Sequence, residues 1–182
     1  MAKLDGKKVA FLLTNGYEDS ELTSPWDAVI EAGAHATLVS PADGDLTGKK
    51  GHRSPVDIDV AGANAADFDA LVLPGGVVNA DHLRMDQSSV KFARAFFEEH
   101  KPVGVICHGA WILIEADVVK DRKITSYPSL KTDLRNAGAN WVDEEVVTDQ
   151  GLVSSRTPED LPAFNAKLVE EIGEGPHKGQ KA

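Results

Sequence analysis

The chain has 182 residues, 42% of them hydrophobic and 26% charged, with a single cysteine and a formal net charge of −10. That length suits one domain that buries about 70% of its unfolded surface with no disulfide or metal staple, and the composition excludes a disordered chain. One cysteine excludes an intramolecular disulfide, the acidic balance argues against nucleic acid as a partner, and the longest apolar runs fall far short of the ~20 residues of a membrane-spanning helix. The amino terminus, Met1-Ala2-Lys3-Leu4-Asp5, lacks the apolar stretch of a secretory signal, so the expected compartment is the cytoplasm.

Residues 8–14 form a short continuous apolar run followed by Asn15-Gly16, the pattern of a strand buried on both faces. A helix is expected over residues 25–33, with Ser24 as N-cap, Pro25 in the first turn and Gly33 as the stop. A second strand over 35–40 ends at Pro41. Residues 43–66 differ: Gly44, Gly48 and Gly51 mark turns, and Val56, Ile58 and Val60 alternate with Asp57 and Asp59, which predicts a small antiparallel excursion. A buried strand over 70–73 runs into Pro74-Gly75-Gly76. A helix over 88–100 carries Val90, Phe92, Ala93, Phe96 and Phe97 on one stripe.

The strand at 103–106 leads at once into Cys107-His108-Gly109 and an apolar helix over 110–116. A short strand at 123–126, a helix at 130–137 and a hairpin around Asp149-Gln150-Gly151 follow. Thr157-Pro158-Glu159-Asp160 opens a last helix to about residue 172. Residues 1–172 read as one domain, and 173–182 as a polar, frayed tail. Alternating strands and helices imply a mainly parallel sheet wrapped on both faces, whose sites form at the carboxyl ends of the strands.

Three such ends carry chemistry. A lone cysteine after an apolar strand is a small buried hydrophobe or a nucleophile. The strand-Cys107-His108-Gly109-helix run favours the nucleophile, lifted on a sharp elbow. A following helix N-terminus is expected to lower the thiol pKa, and the His108 amide to face developing oxyanion charge. His108 itself is a general base or a polar cap of the turn. Gly75 and Gly76 form a plain turn or bring a second oxyanion amide close to the sulfur. Glu18 is a surface carboxylate or, facing Cys107, a buried carboxyl that keeps its proton and donates it to the sulfur. Asp81 orients His108 or caps a helix. The histidines and the single cysteine match no zinc spacing, and the glycines match neither a phosphate loop nor a dinucleotide fingerprint, so no metal or cofactor is expected.

Taken together, Gly16-Tyr17-Glu18-Asp19-Ser20-Glu21-Leu22, Leu73-Pro74-Gly75-Gly76, Val105-Ile106-Cys107-His108-Gly109-Ala110-Trp111 and Thr125-Ser126-Tyr127-Pro128-Ser129-Leu130 resemble the PfpI-type intracellular protease family. That family sits in the superfamily of the parkinsonism-associated redox protein and the class I glutamine amidotransferases. The resemblance implies an α/β, flavodoxin-like three-layer sandwich. It implies Cys107 as nucleophile, His108 as its partner and Glu18 as the acid beside the sulfur. Gly76 and His108 supply the oxyanion amides, Tyr127 lies near the site, and Asp81 is the best match to an acidic residue that a neighbouring subunit contributes. It further implies a homodimer or hexamer. The implied activities are those of a cysteine peptidase or a cofactor-independent glyoxalase or deglycase acting on small carbonyl compounds, with a stress role. The alternative is an oxidative-stress sensor or chaperone-like protein without turnover.

Overall fold

The computed structural model describes residues 3–182, so Met1 and Ala2 of the amino-terminal stretch read above lie outside it. In chain order the elements are β1 (Lys8–Leu12), α1 (Asp19–Glu31), β2 (His35–Ser40), β3 (Asp45–Thr47), β4 (Arg53–Pro55), β5 (Ile58–Asp59), β6 (Ala70–Leu73), α2 (Val77–Met85), α3 (Gln87–Glu98), β7 (Val103–Ile106), α4 (Trp111–Glu115), β8 (Lys123–Ile124), α5 (Lys131–Asn136), β9 (Asn140–Trp141), β10 (Val147–Asp149), β11 (Leu152–Ser155) and α6 (Leu161–Glu174). Seven strands form the main sheet in the order β10-β11-β7-β6-β1-β2-β5. Every pair is parallel except the β10–β11 hairpin at one edge.

The period-2 geometry of β1 divides the core between two faces. Val9, Phe11 and Leu13 pack with Leu22 and Val29 of α1 and with Phe164, Leu168 and Ile172 of α6. Ala10 and Leu12 pack on the other face with Leu83 of α2, Phe92, Phe96 and Phe97 of α3 and Ile112 and Leu113 of α4. The result is the α/β three-layer sandwich expected, with a mainly parallel sheet and a small antiparallel piece, β3–β4.

Several local expectations change. Helix α1 begins at Asp19, and Pro25 lies inside it. Asp19 places negative charge in the first turn, where the helix dipole favours it. Ile58 and Asp59 do not extend the antiparallel excursion but join the main sheet, parallel to β2. Trp141 pairs with Ile124 in a separate two-stranded ribbon and not with the 147–155 hairpin. A 3-10 turn over Pro158–Asp160 precedes α6. The tail is not frayed: Gln180 is fully buried, takes a 2.6 Å hydrogen bond from Arg122 Nη2 and donates to the Lys101 carbonyl at 3.0 Å. No helix among the described residues is long and apolar enough to cross a membrane.

Candidate active site

Strands β7, β6 and β1 are neighbours in the sheet, so the segments that leave their carboxyl ends converge. Asn79 of α2 fastens them together. Fully buried, it donates from Nδ2 to the carbonyls of Pro74 (3.1 Å) and Gly75 (2.9 Å), and its Oδ1 accepts from the Thr14 amide at 2.7 Å.

Cys107 follows β7 with φ 61°, a left-handed conformation rare for a side chain this size. That geometry turns the sulfur over the sheet edge, with only 8% of the residue exposed. Cys107 Sγ lies 3.2 Å from His108 Nδ1. The amides of His108 and Gly76 both point at the sulfur and favour its anion. Gly76 adopts φ 92°, and a Cβ there would stand 2.7 Å from the Glu18 amide nitrogen. At Gly75 a Cβ would meet Cys107 Cβ at 2.8 Å. The glycine pair is what lets β6 come this close to β7 and α1.

The acid beside the sulfur is Glu21, not Glu18. Glu21 is fully buried, and its Oε1 accepts from the Gly75 amide at 2.9 Å. Its Oε2 is buried with no hydrogen-bond partner except what the sulfur offers. Burial pushes this carboxyl up to about 8. Near neutral pH it therefore holds its proton and is a donor. Glu18 occupies the N-cap position of α1 on the rim of the same cavity, with Lys49 Nζ at 3.8 Å and Lys50 Nζ at 3.2 Å. One helical turn separates the two carboxylates, and side chains in a helix lean toward its N-terminus. Once α1 begins at Asp19, Glu21 is the one that leans back over the sheet edge.

The expectation of a thiol held ionised by a helix dipole also changes. Burial, followed by the charge of ionised Glu21, pushes Cys107 up to about 12, against the pull of the two amides. The dipole is weak because Cys107 opens a 3-10 turn and α4 has only five residues. Protonating Glu21 removes its charge from beside the sulfur. Burial, and then the positive charge of Lys49, lower the His108 pKa, so its ring is neutral and free to accept the thiol proton at Nδ1. The tautomer with hydrogen on Nε2 also satisfies Ser129 Oγ at 3.3 Å. Tyr127, about two-fifths exposed, stacks on the ring with centroids 4.6 Å apart and planes at 25°.

Asp81 lies mid-helix in α2 and is exposed, so it caps no helix end. Within the chain the partner of His108 Nε2 is Ser129. Cys107, Glu21, Lys49, Gly76 and Tyr127 line a cavity of about 350 Å³. A larger cavity, about 440 Å³, lies by Trp26, His52 and Asp57, and Cys107 does not line it. Glu21, Asn79, Ser129 and the lysine pair escaped sequence reasoning. Lys49 and Lys50 reach the rim because Asp19 accepts from the Lys50 amide (3.2 Å) and the His52 amide (3.1 Å), which folds the hairpin tip over the site.

The sequence model of the DJ-1/PfpI family matches residues 7–171. The chain belongs to that family. It is 47% identical over 164 residues to the Bacillus subtilis protein named "Putative cysteine protease YraA", covering 90% of this chain and 96% of the relative. It is 46% identical over 170 residues to Protein/nucleic acid deglycase 2 of Escherichia coli, covering 92% and 98%. Among solved structures, a two-domain protein from Anabaena variabilis with DJ-1/ThiJ/PfpI-like and ferritin-like domains superposes with a TM-score of 0.89 at 33% identity. The match covers 92% of this DJ-1/PfpI chain and 48% of that one, so the chain spans about half its length.

Proposed function

We propose that this DJ-1/PfpI chain is a cysteine-nucleophile enzyme of the glyoxalase or deglycase type, acting on small reactive carbonyls in stress protection, with peptides as the rival substrate class. The observation that carries this reading is the trio at the sheet edge: Cys107 Sγ on its elbow, neutral His108 Nδ1 at 3.2 Å, and the buried carboxyl of Glu21 against the sulfur. With a 2-oxo aldehyde, sulfur bonds to the aldehyde carbon as its proton passes to His108 Nδ1. The carbonyl oxygen takes the negative charge between the Gly76 and His108 amides. Return of the proton gives a hemithioacetal. The hydrogen on that carbon then moves, as a proton through an enediol, to the adjacent carbon and leaves a thioester of the 2-hydroxy acid. Water cleaves the thioester and restores the thiol, so one water is added overall. A cavity of about 350 Å³ suits such a substrate better than an extended peptide.

A second reading, a redox sensor, is favoured by the unpartnered Oε2 of Glu21. Protonated, it would donate to an oxygen of a Cys107 sulfinic acid formed by two equivalents of peroxide. Both readings place the protein in the cytoplasm, where a single free cysteine stays reduced. They also fit a homodimer or hexamer in which Asp81 of one copy meets His108 of another.

The experiment compares wild type, Cys107→Ala and Glu21→Gln for methylglyoxal turnover, deglycation and peptide cleavage, with intact mass after peroxide. Loss of turnover in Cys107→Ala by about 10³-fold or more supports the enzyme. Turnover that survives without Cys107 rejects it. Peptide cleavage alone selects the peptidase, and a stable gain of two oxygens with no turnover selects the sensor.

A further inference from the structure

The sequence Glu171-Ile172-Gly173-Glu174-Gly175-Pro176-His177 spaces two carboxylates and an imidazole three residues apart each. Residues i and i+3 of a helix share a face, so Glu171 and Glu174 stand together at the end of α6. The helix stops there because Gly175 adopts φ 81° and its amide closes on the carbonyls of Glu171 and Ile172, each at 3.2 Å. The chain then turns back, and the His177 amide donates to the His100 carbonyl at 2.9 Å. The imidazole rests against Gly151, where a Cβ would lie 3.1 Å from the ring. The backbone thus brings a third donor over two carboxylates.

We propose that Glu171, Glu174 and His177 form a binding site for a divalent transition-metal ion, zinc foremost, which ties the C-terminal tail to α6.

The spacing supports it first. One ligand atom from each residue lies within 4.8 Å of the other two. His177 Nε2 is 3.1 Å from Glu171 Oε2 and 3.5 Å from Glu174 Oε2. Donors at zinc's usual bond lengths around a tetrahedron stand ~3.3 Å apart, between those two values. The hydrogen bonding supports it independently. The Glu171 side chain is 8% exposed, and its Oε2 and His177 Nε2 are both buried without a hydrogen-bond partner. They lie at an ion-pair distance without the alignment of a hydrogen bond. Two carboxylates and one imidazole match zinc, cobalt and manganese better than calcium or magnesium. The site lies by Gly151 and His100, at the end of the sheet opposite Cys107, so its role is structural and no catalytic step passes through it.

The full chain is stripped with a chelator and titrated with zinc alone, followed by calorimetry and thermal unfolding. One ion per chain and a rise in melting temperature of about 5–10 °C at hundredfold excess over Kd are expected. His177→Ala and the exposed Glu174→Gln should each weaken binding about tenfold or more, while Cys107→Ser binds as wild type does. Binding that is absent up to millimolar zinc overturns the proposal. Unchanged affinity in both site variants does so too, as does binding that disappears with Cys107→Ser and so belongs to the thiol. Because Glu174 is exposed, its variant keeps the test decisive even where His177→Ala fails to fold.

Discussion

Glu18 and Glu21 differ by one helical turn, yet one sits beside two lysines on the rim and the other beside a thiol in the interior. Its interior place fixes the protonation of Glu21. A carboxyl with an ordinary value of about 4.3 in the unfolded chain is held near 8 when folded, so over that interval the folded state binds the extra proton. Stability from this group is therefore present at low pH and is lost as pH rises toward 8. The expected loss for wild type relative to Glu21→Gln is roughly 2–5 kcal/mol between pH 5 and pH 8.5. Urea unfolding across that range measures it, and parallel curves for the two proteins would refute the assignment. Cys107, His108 and the glycine pair were legible in the sequence as candidates because each follows on the end of a strand. The choice of carboxylate was not, because it depends on where α1 starts, and Pro25 drew that start six residues too late.

Helix α2 shows a different kind of illegibility. It buries Asn79, Ala80 and Leu83 and leaves Val77 and Val78 about half exposed, which inverts the polarity that marks a surface helix. Asn79 is buried because it gives the Thr14 amide an acceptor and the Pro74 and Gly75 carbonyls a donor. The tail misled in the same way: its polar composition reads as solvated, but Arg122 is buried and needs acceptors. Gln180 Oε1 supplies one and the Asp149 carbonyl another at 2.7 Å. Gln180→Ala strips a buried guanidinium of a partner and is expected to cost about 1–3 kcal/mol. Chemical denaturation reads this directly. A change under 0.5 kcal/mol, the scale of a neutral surface substitution, would mean that the tail contributes no stability.

For the whole molecule, the architecture was readable because buried parallel strands and crossover helices leave a strong periodic signature. A surface for self-association would leave a weaker one. Val77, Asp81 and Met85 repeat at i, i+4 and i+8 along α2, with Val77 51% and Met85 77% exposed. Val77 also lines the cavity that holds Cys107. If a second copy covers this face, Met85→Glu should shift the mass measured by light scattering toward the monomer, and Asp81→Asn should lower turnover without changing that mass. A wild-type chain that is already monomeric at micromolar concentration would rule the arrangement out.

The anchoring of Gln180 at the start of β7 gives the molecule two ends with separate duties. Four residues of β7 at ~3.3 Å each set the thiol ~13 Å or more from the docked tail. A fluorophore or surface tether joined after Ala182 would thus leave by the rim away from Cys107, and the protein can be immobilised there with the Cys107 cavity turned outward.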